Sequence, residues 1–144
     1  MRIDGGWYLF DDEVKRPIIL GEALSRDGNW VRTLFLVDTG ADRTVLNASA
    51  CAKLGFESSG QRERLGGLGG LAEAIYFETQ IRLTRDGGGK VSFRGSYAAV
   101  VEDEALDFSV LGRDILSLFA VIVDDPKQIV CLLSQRHSYT IVES

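Results

Sequence analysis

Residues Leu36 to Leu46 read LVDTGADRTVL, and the residues before them, Trp30 to Val37, read WVRTLFLV. An apolar run ending at Val37 predicts a strand buried on both faces, followed by a tight turn in which Asp38 and Gly40 supply the turn chemistry. By itself that is an ordinary strand exit. Its consequence is chemical: a carboxylate placed at the end of a buried strand reaches a partly dry position. An ionisable group there is costly unless it is paired or functional.

Outward from this stretch, the pattern is one of short strands separated by glycine and turn clusters. Val14 to Leu24 reads as a strand whose Pro17 suits a sheet edge. Ser25-Arg26-Asp27-Gly28-Asn29 forms the turn into Trp30 to Val37. Asn47 to Leu54 (NASACAKL) predicts a short helix, with Asn47 as N-cap and Gly55 just past its end. In Leu71 to Leu83, Ile75, Phe77, Thr79, Ile81 and Leu83 alternate with Tyr76, Glu78, Gln80 and Arg82, which is strand periodicity. Asp86-Gly87-Gly88-Gly89 turns the chain into a returning strand, Val91 to Val101. Glu102 to Asp107 is an acidic loop. After a turn of helix at ILSLF, Ala120 to Val123 and Gln128 to Leu133 form a last hairpin about Asp124 to Lys127. The sum is a mainly β chain with one or two short helices.

Composition narrows the class. The 144 residues, 45% hydrophobic and 26% charged with only two prolines, suit one globular domain spanning 1–144. Residues 134–144 (SQRHSYTIVES) form a C-terminal tail or an extra strand. The apolar runs are too short to span a bilayer, so no membrane association is expected. MRIDGGWYLFDDE places charges where a signal peptide has its apolar region, so a cytoplasmic location is expected. With 21 acidic against 16 basic residues, the net charge is −5, and no dense basic stripe offers itself to nucleic acid. Cys51 and Cys131 are expected as two buried, reduced thiols. His137 is the single histidine, so no Cys/His spacing for a metal exists and a Ser–His–Asp triad is poorly placed.

Three separated motifs then resemble the retropepsins, the aspartic proteases of the retroviral type. LVDTGADRTVL is similar to their catalytic loop. LGGLGGL (Leu65 to Leu71) is similar to their glycine-rich flap. VLGRDIL (Val110 to Leu116) is similar to their apolar-apolar-Gly-Arg-Asp/Asn helix start. Gly67-x-Gly69-x-x-Ala72 also fits a loose dinucleotide fingerprint. That reading needs a helix after the glycines, where alternating strand residues stand instead.

The resemblance implies a single lobe built as a closed acid-protease-type β-barrel, acting as an aspartic endopeptidase on extended polypeptide without metal or cofactor. Two facing carboxylates cannot both ionise, so the pair holds one proton. The ionised member accepts a proton from water while the protonated one donates to the scissile carbonyl. This chain has one Asp-Thr-Gly, so the resemblance implies a homodimer with Asp38 from each subunit on a two-fold axis. It also implies that the Thr39 hydroxyl braces the partner's loop and that Gly40 lets backbone approach substrate. Substrate contact is implied for Ala41, Asp42, Val45, Gly66, Gly67, Leu68, Phe108 and Val110, the Leu68 N–H through a bridging water. Val45, Phe108 and Val110 read equally well as core. Arg113 reads either as a surface helix charge or, by resemblance, as an inward-facing ion pair with Asp42. Asp114 is expected to hydrogen-bond near Thr44.

The chain departs from the family at three places. Arg43 stands where the closest retroviral motif has an acidic residue, the 47–60 segment is longer than in the viral enzymes, and so is the tail. The alternative function is a non-catalytic module that keeps the fold for dimerisation or peptide binding.

Overall fold

The structure is a computed structural model that describes residues 1–56, 62–67, 70–102, 106–134 and 142–143. Its strands are β1 (Arg2–Asp4), β2 (Gly6–Leu9), β3 (Lys15–Leu24), β4 (Trp30–Val37) and β5 (Val45–Leu46). Helix α1 (Ala48–Leu54) follows, then β6 (Arg62–Gly67), β7 (Gly70–Thr84), β8 (Lys90–Val100) and β9 (Ser109–Leu111). Helix α2 (Arg113–Leu116), β10 (Ala120–Asp124) and β11 (Ile129–Leu133) complete the order. The fold is mainly β, as the punctuation of the sequence predicts. The expected strand within the tail and His137 lie outside the described residues.

The larger sheet runs β2-β3-β4-β9-β5-β8-β7-β6, and a further pairing of β3 with β7 makes the ladder return on itself. Six strands, β3-β4-β9-β5-β8-β7, thereby form a closed ring. The closing contact sits where Gly21 faces Leu83 and Glu22 faces Arg82. A β-carbon at Gly21 would lie 2.8 Å from a Leu83 methyl and 3.0 Å from the Phe35 ring, so a glycine is what lets the strands meet. Ile19, Phe35, Leu46, Ile81, Leu83 and Leu111 fill the interior and are fully buried. A second sheet, β1-β11-β10, brings Ile3, Val130 and Leu132 to the same core.

Two expectations are corrected. Strand β4 is buried on one face only: Thr33, Phe35 and Val37 point inward while Arg32 and Leu34 face solvent. Strand β3 is not an edge, because β2, which lacks a readable period, pairs outside it with Trp7 opposite Pro17. The β4 ladder begins one residue later, at Ile18 opposite Leu36, so the missing N–H of Pro17 removes nothing from it.

Local signals held where chemistry is local. The Asn47 side chain accepts from the Ala50 N–H, and Gly55 is left-handed at φ 73° past the end of α1. Both cysteines are buried free thiols. No helix among the described residues is long and apolar enough to cross a membrane.

Candidate active site

The 38–44 loop is built from backbone upward. Parallel pairing of β4 with β9 aligns Val37 with Leu111, and the Asp38 N–H continues it by donating to the Leu111 carbonyl at 3.2 Å. The chain then turns: the Ala41 N–H donates to the Asp38 carbonyl at 3.2 Å, and the Gly40 N–H donates to Asp38 Oδ1 at 3.0 Å. Asp38 is half-buried, whereas Thr39 and Gly40 are exposed. One carboxylate oxygen is thus oriented by backbone, and among the described residues the other accepts no hydrogen bond.

The far side of the loop is docked on the start of α2. Arg113 N–H donates to the Ala41 carbonyl at 2.9 Å and Asp114 N–H to the Asp42 carbonyl at 3.2 Å, so loop carbonyls satisfy donors that a helix start leaves open. Thr44, fully buried, donates through its hydroxyl to Asp114 Oδ1 at 2.7 Å and accepts there from the Gly112 N–H at 3.1 Å. Its own N–H reaches both Asp114 carboxylate oxygens at 3.0 Å. Asp114 therefore holds Thr44, as expected. Gly112 is required sterically: a β-carbon would sit 2.3 Å from the Arg43 carbonyl carbon. Burial first, and the Asp114 charge second, push the neighbouring Tyr97 phenol up to about 12, so it stays neutral and donates to the Phe93 carbonyl at 2.8 Å.

Arg113 pairs with Asp42 and also donates to the Thr39 carbonyl at 3.1 Å. The expected pair with Asp42 is formed, and in the single chain it faces outward, the side chains being 52% and 81% exposed. Helix α2 turns Ile115 and Leu116 into the core, which leaves Arg113 outside.

The remaining candidate residues separate into wall and hairpin. Val45, half-buried, lies between Ala98 of β8 and Val110 of β9, and Val110 is buried. Phe108 packs on Phe10 with centroids 4.4 Å apart, and the Arg16 guanidinium lies over both rings at 5.1 and 5.5 Å. Asp12 fixes that guanidinium through two bonds of 3.0 and 2.6 Å. Gly66 and Gly67 end β6, opposite Leu71 and Gly70 of β7, so the strands flanking the glycine run pair antiparallel. Leu68 lies outside the described residues.

Sequence reading missed Phe10 and Asp12, whose segment has no period, and Arg16 and Tyr76, each of which reads as one more strand residue. The Arg43 guanidinium lies 5.5 Å from the Tyr76 ring centroid, joining the loop to β7.

The profile of the aspartyl protease family matches residues 25–115, well over half of the chain and inclusive of the loop, the hairpin and the start of α2. Among solved structures, a retropepsin-like aspartic protease from Rickettsia conorii superposes with a TM-score of 0.62 at 21% identity, over 92% of this chain and 90% of that one. EIAV protease, complexed with the inhibitor HBY-793, gives 0.50 at 25% identity, over 76% of this chain and 92% of that one. The comparison with curated proteins returned no match. With a closed strand ring of retropepsin-like fold and an Asp-Thr-Gly loop clasped to the start of α2, the chain belongs to the aspartyl protease family.

Proposed function

We propose that the protein is an aspartic endopeptidase that hydrolyses peptide bonds in extended polypeptide, and that its working form is a homodimer. The observation that carries the reading is Asp38: half-buried, aimed by the Gly40 N–H, and held on a loop whose carbonyls are tied to α2. Alone it is a general base without an acid. Paired with Asp38 of a second copy it forms a dyad sharing one proton, which activates water and protonates the substrate carbonyl. Each chain supplies one such carboxylate, so the second copy completes the site.

In this reading Asp38 is catalytic, Thr39 and Gly40 shape the shared loop, and Ala41, Asp42, Val45, Phe108 and Val110 line the path of the polypeptide. The β6–β7 hairpin, with Gly66 and Gly67, closes over it as a flap. Arg113, Thr44 and Asp114 keep the loop in place. A strand edge supports association: among the described residues β10 is the outer strand of its sheet, with Ile122 and Val123 exposed, and such an edge invites another strand.

The test is cleavage of a denatured protein by the native chain and by Asp38→Asn. Asparagine keeps the volume but can neither share the proton nor take one from water. Loss of cleavage with an unchanged circular dichroism spectrum supports the reading; an Asp38→Asn protein that cuts at the native rate removes it.

A further inference from the structure

We propose that Arg43 reads the charge of the bound polypeptide, giving preference to an acidic side chain at the substrate positions that face Arg43 and Tyr76, one for each copy of the dimer. The proposal rests on the proteolytic reading of the Asp38 loop and names the class of sequence that loop accepts.

The backbone of Arg43 is fixed on both sides. The Asp42 carbonyl accepts from the Asp114 N–H, Thr44 is bonded through both its N–H and its hydroxyl to the Asp114 carboxylate, and the Arg43 carbonyl packs on Gly112. From that anchored position the side chain spans to Tyr76 on β7, a few residues below the glycines that end the hairpin. It therefore bridges the two elements between which a polypeptide would lie, the Asp38 loop and the hairpin stem.

Its pairing state suits recognition. The nearest acidic neighbour in sequence, Asp42, is bonded to Arg113 instead. Among the described residues Arg43 forms no ion pair; the ring of Tyr76 holds it through a cation–π contact. A guanidinium lying on an aromatic face keeps its N–H fork for an incoming carboxylate, which it binds in a directed, bidentate way. The rest of the chain works against acidic partners, since its net charge is −5. A preference for Glu or Asp must therefore come from a local cation, and it must vanish when that cation is removed.

The experiment separates this inference from the proteolytic one. Fluorescent decapeptides with an apolar centre, identical except for Glu or Lys at one flanking position in turn, are titrated against the Asp38→Asn protein, which binds without turnover. The same set is then given to the native protein for cleavage. At the positions facing Arg43, one on each side of the apolar centre, the Glu peptide should bind about fivefold tighter than its Lys partner, the size expected of a partly exposed charge pair, with the gap shrinking as salt rises. Adding Arg43→Gln should level the two, and adding Arg43→Glu should reverse their order. Equal binding of Glu and Lys peptides, binding of none of them, or a preference that survives Arg43→Glu overturns the proposal. Selective binding without any cleavage would keep Arg43 and remove the protease; cleavage without charge selection would do the opposite.

Discussion

The Thr44 hydroxyl donates to the Asp114 carboxylate at 2.7 Å across 70 residues of sequence, inside a site where Thr44 is fully buried. Through that bond the loop carrying Asp38 and the helix start carrying Arg113 become one rigid piece. Removing the hydroxyl leaves the Gly112 N–H without its acceptor in a dry place. Thr44→Val should therefore cost about 2 kcal/mol of stability, read as a lower urea midpoint with unchanged slope. Thr44→Ser keeps the hydroxyl and should lie between the native protein and Thr44→Val.

Arg113→Ala should separate stability from activity. Its pair with Asp42 is exposed, so the melting cost should stay under about 1 kcal/mol. The Thr39 carbonyl, however, loses the donor that positions it beside Asp38. A fall in kcat/KM several times larger than the stability change accounts for is expected. A large drop in Tm instead would mean the ion pair is buried by the second copy.

Glu22 closes the strand ring against Arg82, with bonds of 3.0 and 2.6 Å, and also receives Lys90 at 3.0 Å. The Arg82 bond first, and the Lys90 bond second, hold its carboxyl below the usual range. A lowered folded value supplies stability that is present above the unfolded value and lost as pH falls through the folded one. Glu22→Gln should thus be less stable than the native protein at neutral pH. The two should converge in acid when unfolding is followed at both pH values.

Burial raises the Cys51 and Cys131 thiols above their ordinary range. Both should resist alkylation at mildly alkaline pH in the native protein and react fully in urea. Rapid native labelling of one thiol would show local opening at α1 or β11.

How much of this was legible depended on the range of the chemistry. The cap at Asn47, the left-handed Gly55 and the alternation of Ile75 to Leu83 are local, and each could be read from a few neighbouring residues. Strands β1 and β2 escaped, because three or four residues of mixed polarity carry no period and pair only with distant partners. Ring closure at Gly21 and Leu83 is a contact between segments that no window of sequence contains. The LVDTGADRTVL motif announced the Asp38 loop, but not that Arg113 would turn outward, since that follows from which side of α2 packs inward. Phe10 and Arg16 joined Phe108 by the same route, through a tertiary placement that no local pattern announces.

The central claim is a site shared between two copies, and subunit mixing tests it most directly. Native protein at fixed concentration is equilibrated with increasing Asp38→Asn protein before cleavage is measured. If each site takes one Asp38 from each chain, mixed dimers are silent. Activity should then fall to about half at equal amounts of the two proteins, and toward zero in excess. Cleavage that stays constant at every ratio, while sedimentation shows that the chains have exchanged, would mean that a single chain holds a complete site.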